Sequence, residues 1–299
     1  MISITQSFTI ERNDNMNGIL VVNKPIDYTS RDVVNKIGGI LKTKKVGHTG
    51  TLDPIATGVL VVCVGNTTKL CELLTSEYKE YIATIKLGIK TDTLDTTGTI
   101  IEKKDYNVSE EQIKEVLSTF LGTSIQTTPI YSAVKVNGKK LYEYARQGIE
   151  VELPKREINI TNIELLSYKE DEIIFKTTVS KGTYIRALID DICAKLNTVG
   201  TMSTLQRTKQ GNFSIEDSYT IDDIQSGNYK LLSIEESLTN LEQITIKEEL
   251  YNQVKNGSII DKTFKNDIAC LNYNGNIVAI YQTYHKDSSK AKPFKMFIN

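Results

Sequence analysis

Apolar positions recur along this chain with two periods that alternate. Residues 18–23 (GILVVN) and 59–64 (VLVVCV) are short continuous apolar runs, the pattern of buried strands. Residues 78–87 alternate instead, with Tyr81, Ala83, Ile85 and Leu87 on one face. Helical spacing begins after Thr29, where Val33, Val34, Ile37 and Ile40 form one stripe. It returns after the capping box Ser109-Glu110-Glu111-Gln112 and again over residues 184–192, where Thr183 is the expected N-cap. Residues 67–74 read as a short helix, and residues 141–147 as another, closed by Gly148.

Turn chemistry fills the gaps. Asn137-Gly138 predicts a hairpin, residues 122–129 a polar loop, and a charged turn joins strands over 158–168 and 173–179. One more strand is expected within 202–213. The composition shifts near residues 240–247. Downstream, a short helix over 249–255 precedes strands over 268–273 and 277–284, turned by Asn274-Gly275, and a last strand over 294–298. About 55 residues are too few for much stability alone, so this part is expected to pack on the main body. The pattern predicts an α+β fold with a large mixed, mainly antiparallel sheet flanked by helices. Three segments are expected: a disordered extension over 1–16, a main domain over 17–240 and a small, mainly β domain over 241–299.

Composition narrows the classes. No apolar run approaches the roughly 18 residues of a membrane helix, and residues 1–16 lack the apolar core of a secretory signal. Cys63, Cys71, Cys193 and Cys270 are scattered and form no CxxC pair, and two histidines cannot complete a usual zinc set. A reducing, cytoplasmic setting without disulfides or a structural metal is expected. A net charge of −1 argues against a protein living on non-specific phosphate attraction, but leaves room for a local basic face. Lys36, Lys42, Lys44 and Lys45 read first as a solvated face.

Candidate chemistry concentrates in residues 45–65, KVGHTGTLDPIATGVLVVCVG. Pro54 pushes Asp53 out of helical geometry, so its carboxylate sits in a restrained loop at the lip of a buried strand. That is either a turn-forming aspartate or a catalytic one. His48 alone reads as a loop histidine, and Tyr81 as a core strand tyrosine. Residues 91–98, TDTLDTTG, lack EF-hand spacing and the lysine of an aspartyl-phosphate loop, and read as a polar turn.

Taken together, NGILVVNKPIDYTS, KVGHTGTLDPIATGVLVVCVGNTTKL, KEYIATIKLGIKTDTLDTTG, TPIYSAVKVNGKKLYEYARQG and VSKGTYIRALIDDI resemble the bacterial TruB family in sequence, order and spacing. The likeness runs over about residues 17–215, and GHTGTLDP with KGTYIR is its most specific part. The resemblance implies the pseudouridine synthase fold, with a C-terminal PUA-like domain, and isomerisation of uridine at position 55 in the T loop of tRNA. It implies Asp53 as catalytic aspartate, Arg186 as its partner and Tyr81 as the ring that packs on the target base. His48 would contact RNA near the vacated position, with Tyr184 and Leu205 as further pocket residues. The implied partner is the tRNA T-arm stem-loop. No cofactor, metal, membrane or obligate protein partner is implied, and a monomer is expected. The competing reading is a tRNA-binding folding helper whose catalysis is dispensable. Two departures stand out. Thr128 replaces the first of two prolines before the YSA segment, which predicts a looser loop. Gln206 replaces one of two paired arginines before Arg207, which predicts one lost phosphate contact.

Overall fold

The structure is a computed structural model that describes residues 16–75 and 78–298. Apart from Met16, the expected N-terminal extension lies outside those residues. Strand β1 (Gly18–Lys24) leads to helix α1 (Ser30–Ile40), whose start is fixed by a reciprocal capping box between Thr29 and Asp32. Then come β2 (Val46–His48), β3 (Thr57–Val64), a 3-10 turn (Gly65–Leu70) and α2 (Cys71–Thr75). Strand β4 (Lys79–Leu87) precedes the small hairpin β5 (Ile89–Thr91) and β6 (Ile100–Lys103). Helix α3 (Glu110–Ser118) and β7 (Gly122–Thr127) follow. Next are the hairpin β8 (Lys135–Val136) and β9 (Lys139–Lys140) and helix α4 (Leu141–Gln147). The long strands β10 (Lys155–Lys169) and β11 (Glu172–Val179) lead into α5 (Ile185–Lys195), β12 (Gly200–Gln210) and β13 (Phe213–Ser214).

Nine of these strands form one sheet of order β1-β3-β12-β4-β11-β10-β7, with β2 on β3 and β13 on β12. All its pairings are antiparallel except β3 with β12. The two apolar runs are explained by burial on both faces. Ile19 and Val21 of β1 and Val59, Val61 and Cys63 of β3 belong to one core cluster. Leu20, Val22, Leu60, Val62 and Val64 point the other way, into a second cluster with α1. Strand β4 alternates because only one face is covered: Tyr81, Ala83, Ile85 and Leu87 pack with Ile113 and Leu117 of α3 and Leu188, Ile189 and Ile192 of α5.

Beyond β13, the chain runs through a 3-10 turn (Ile215–Asp217), α6 (Ile221–Gln225) and α7 (Ile234–Ser237). It then builds a five-stranded sheet from β14 (Glu242–Thr245), β15 (Ile260–Asp261), β16 (Ile268–Tyr273), β17 (Asn276–Tyr284) and β18 (Asp287–Met296). Its order is β14-β16-β17-β18-β15, and α8 (Glu248–Lys255) covers it. This sheet is packed on the main body. Cys270, Ile277 and Ile280 share a core cluster with β1 and β3, and Lys295 reaches Glu72 across the join at 2.8 Å.

Three local expectations change. Residues 122–127 form an edge strand, not a loop; all but Gln126 are exposed and only β10 pairs with them, so no apolar alternation marks the strand. Helix α5 is capped at Tyr184, because the Thr183 hydroxyl donates back to the Ser180 carbonyl instead. Thr128 does not loosen its loop: its N–H, which a proline would lack, donates to the Pro154 carbonyl at 2.9 Å.

Gly58 lies at the β3–β12 junction with φ of +96°, and a Cβ there would overlap the main chain of Arg207. Gly58→Ala is therefore expected to lower the urea midpoint, with about 1–3 kcal/mol lost to backbone strain alone and more to displacement of β12.

Candidate active site

Asp53 sits in the loop between β2 and β3, and hydrogen bonds from several elements hold the main chain around it. Ser30 brackets Leu52, its hydroxyl taking the Leu52 N–H at 2.8 Å and donating to the Leu52 carbonyl at 3.2 Å. The Ala56 N–H closes a turn onto the Asp53 carbonyl at 3.0 Å. The fully buried Lys24 donates from Nζ to the carbonyls of Pro25, Tyr28 and Pro54. The buried Arg207 donates from Nε to the Val59 carbonyl at 2.6 Å and from Nη2 to the Gly50 carbonyl at 3.0 Å. Arg207 thus ties the two ends of the Asp53 loop together from β12.

Opposite the loop, Arg186 rises from the first turn of α5. Its side chain is only 6% exposed, that of Asp53 37%. Arg186 Nε lies 2.9 Å from Asp53 Oδ2. Its other two nitrogens donate to carbonyls: Nη1 to Thr93 at 2.8 Å and Nη2 to Tyr131 at 3.0 Å. Asp95 Oδ2 approaches Nε at 3.9 Å, while Asp95 Oδ1 is occupied by the Thr93 hydroxyl, the Thr97 N–H and the Thr97 hydroxyl. The guanidinium is therefore satisfied from three separate segments, and its edge is turned toward the Asp53 carboxylate.

Asp53, Arg186, Tyr81, Tyr184 and Leu205 line one cavity of about 420 Å³, together with Arg207 and Ser132. Tyr81 reaches it from β4, directly opposite Arg207 of β12. Gln126 fixes Tyr184 by accepting its N–H at 2.8 Å and donating to its carbonyl at 3.1 Å, and Arg156 lies over its ring at 5.5 Å. His48 is not in that lining. It stands at the end of β2, where Nδ1 accepts the Gly50 N–H at 3.4 Å, which leaves the ring proton on Nε2. Burial pushes the imidazole below its ordinary value, and Arg31 and Arg207 add to the effect, so the ring is neutral near pH 7.

Sequence reasoning missed the groups that support the loop. Lys24 read only as the end of a strand, Arg207 as part of the strand expected within 202–213 and Asp95 as part of a polar turn. The 91–98 segment is a turn, but one that offers the Thr93 carbonyl and the Asp95 carboxylate to Arg186. A lysine or arginine held by main-chain carbonyls leaves no spacing pattern. The one signal was the density of Asp and Thr in TDTLDTTG, more than a simple turn needs.

Comparison with known proteins gives consistent results. The family model described as TruB family pseudouridylate synthase, N-terminal domain, matches residues 39–185. The chain is 46% identical over 262 residues to a protein named tRNA pseudouridine synthase B from Clostridium tetani, covering 85% of this chain and 91% of that one. It is 42% identical over 303 residues to the protein of the same name from Bacillus subtilis, covering 95% and 98%. Among solved structures, a crystal structure of a Cbf5–Nop10–Gar1 complex matches with a TM-score of 0.72 at 25% identity, covering 94% of this chain and 84% of that one.

Burial lowers the Lys24 pKa from its ordinary 10.5 to about 8, with the nearby Asp53 charge opposing the fall. In the window from about 8 to 10.5 the unfolded chain then binds more protons than the folded one, so this group's contribution to stability rises with pH there. Urea unfolding of the native sequence and of Lys24→Met is expected to show a difference that moves in favour of the native sequence between about pH 7.5 and about pH 9.5.

Proposed function

The chain belongs to the TruB family of pseudouridylate synthases, and from that premise we propose that it converts uridine to pseudouridine at position 55 in the T loop of tRNA, with Asp53 as nucleophile. The observation that carries this reading is the 2.9 Å contact between Asp53 and the buried Arg186 at the wall of the cavity. The relatives' name supports the substrate class, and the position is what the resemblance to the TruB family in GHTGTLDP and KGTYIR implies.

The reaction breaks the bond between ribose C1′ and uracil N1 and makes one between C1′ and C5. The C5 proton is lost and N1 gains one, so nothing is oxidised or hydrolysed and no co-substrate is needed. A carboxylate can carry the transfer by bonding to the ribose carbon or to uracil C6. The target base must leave its stack to reach Asp53. Tyr81 then gives it a ring to lie against, a contact worth about 1–3 kcal/mol per base. Leu205 and Tyr184 complete the walls. Arg186 holds the carboxylate at the position of attack, which saves reorganisation during the reaction. His48, neutral and with its proton on Nε2, is a hydrogen-bond donor for RNA beside the place the base has left. No step requires a metal or cofactor.

Residues 17–240 would form the catalytic unit and residues 241–299 a PUA-like unit, acting on the T-arm stem-loop of tRNA in the cytoplasm as a monomer. Release of tritium from tRNA labelled at uracil C5 is expected to vanish in Asp53→Asn while tRNA binding survives. Undiminished release would remove Asp53 from the chemistry. Pseudouridine mapped at a position other than 55 would change the substrate while keeping the reaction. A folding helper would retain its biological effect in the Asp53→Asn variant.

A further inference from the structure

Behind the candidate active site lies a pair of thiols with no part in the chemistry above. Strand β2 pairs antiparallel with β3, and Gly47 stands directly opposite Cys63. A side chain at 47 would lie beside that of Cys63, on the same face of the sheet. Gly47 has none, and Cys71 takes the space: a Cβ built at 47 would lie 3.1 Å from Cys71 Sγ. Cys63 is fully buried, and Cys71, at the start of α2, is half-buried and packed against the cluster that contains Cys63. The two thiols are close enough for each to perturb the other's ionisation.

We propose that Cys63 and Cys71 form a peroxide-sensitive dithiol, with Cys71 as attacking and Cys63 as resolving residue. The two environments differ in the required sense. The neighbouring Cys63 thiol lowers the Cys71 pKa against the opposing effect of burial, whereas Cys71 and burial push the Cys63 thiol well up. A thiolate that solvent can reach beside a buried thiol is the arrangement of a redox-sensitive pair. In the first step the Cys71 thiolate attacks one oxygen of hydrogen peroxide. The O–O bond breaks, the departing hydroxide takes a proton as water, and Cys71 becomes a sulfenic acid. The Cys63 sulfur then attacks the Cys71 sulfur. The S–O bond breaks, and the leaving hydroxide departs as water with the Cys63 proton. Two thiols are oxidised, one peroxide is reduced, and a dithiol reductant reverses the change. Cys193 and Cys270 are built-in controls. Both are buried, and burial pushes their thiols up to about 12 and about 11.

The site lies close to the loop that carries Asp53, since β2 passes from Gly47 directly into His48. The test treats the folded native protein with hydrogen peroxide and reads its intact mass and its non-reduced peptides. The expected result is loss of two hydrogens, a single peptide pair joining Cys63 to Cys71, and full recovery with dithiothreitol. Cys63→Ala is expected to stop at a sulfenic acid that dimedone traps on Cys71, and Cys71→Ser to give neither product. An unchanged mass, a linkage through Cys193 or Cys270, or dimedone on another cysteine would overturn the proposal. None of these outcomes depends on pseudouridine formation.

Discussion

The contact between Asp53 and the buried guanidinium of Arg186 constrains most of what surrounds it. A guanidinium carries five donors and no acceptor, and burying it is costly unless those donors are met. Here three chain segments far apart in sequence give each of its three nitrogens a partner: the Asp53 loop at Nε, the Thr93 carbonyl at Nη1 and the Tyr131 carbonyl at Nη2. Each segment must be delivered to within hydrogen-bond distance of the first turn of α5. The sheet does this: β3, β12 and β4 are successive neighbours in it, and α5 packs across β12 and β4.

A second consequence concerns charge. The chain as a whole is nearly neutral, with a net charge of −1, yet buried cations stand around the loop. Arg186 faces the carboxylate, while Lys24 and Arg207 hold main-chain carbonyls on either side of it. Among the described residues, Lys24 and Arg207 form no ion pair. In the proposed reaction these cations would favour the approach of RNA at one face of an otherwise balanced surface. The same loop owes its shape to these residues, so support and electrostatics come from the same atoms.

How much of this was legible depends on the kind of interaction. Burial on both faces wrote itself into residues 59–64 as an unbroken apolar run, and one-sided burial wrote itself into residues 78–87 as alternation. The helix start at Thr29 and the capping box at Ser109 were visible because a cap is a local bond between residues three apart. The edge strand at 122–127 was not, because its register is set by β10 and its one large apolar side chain, Ile125, is exposed. The cavity lining of Asp53, Tyr81, Tyr184, Arg186 and Leu205 could be named from motifs. The roles of Lys24, Arg207 and Asp95 could not, since each depends on carbonyls or donors brought in by folding. Thr128 carried the opposite lesson: a lost proline suggested a looser loop, but the gained N–H closes its base.

The central claim is that Arg186 acts on the Asp53 carboxylate and not on the RNA. Single-turnover pseudouridine formation with saturating Arg186→Lys protein, measured beside its dissociation constant for the same tRNA, tests it most directly. Lysine keeps the charge but loses the fork that holds the Thr93 and Tyr131 carbonyls together with Asp53. The account predicts a rate reduced by about tenfold or more, equivalent to about 1.4 kcal/mol in the barrier, with tRNA affinity within about twofold of the native protein. A full rate at saturation with weakened tRNA binding would contradict it and make Arg186 an RNA contact.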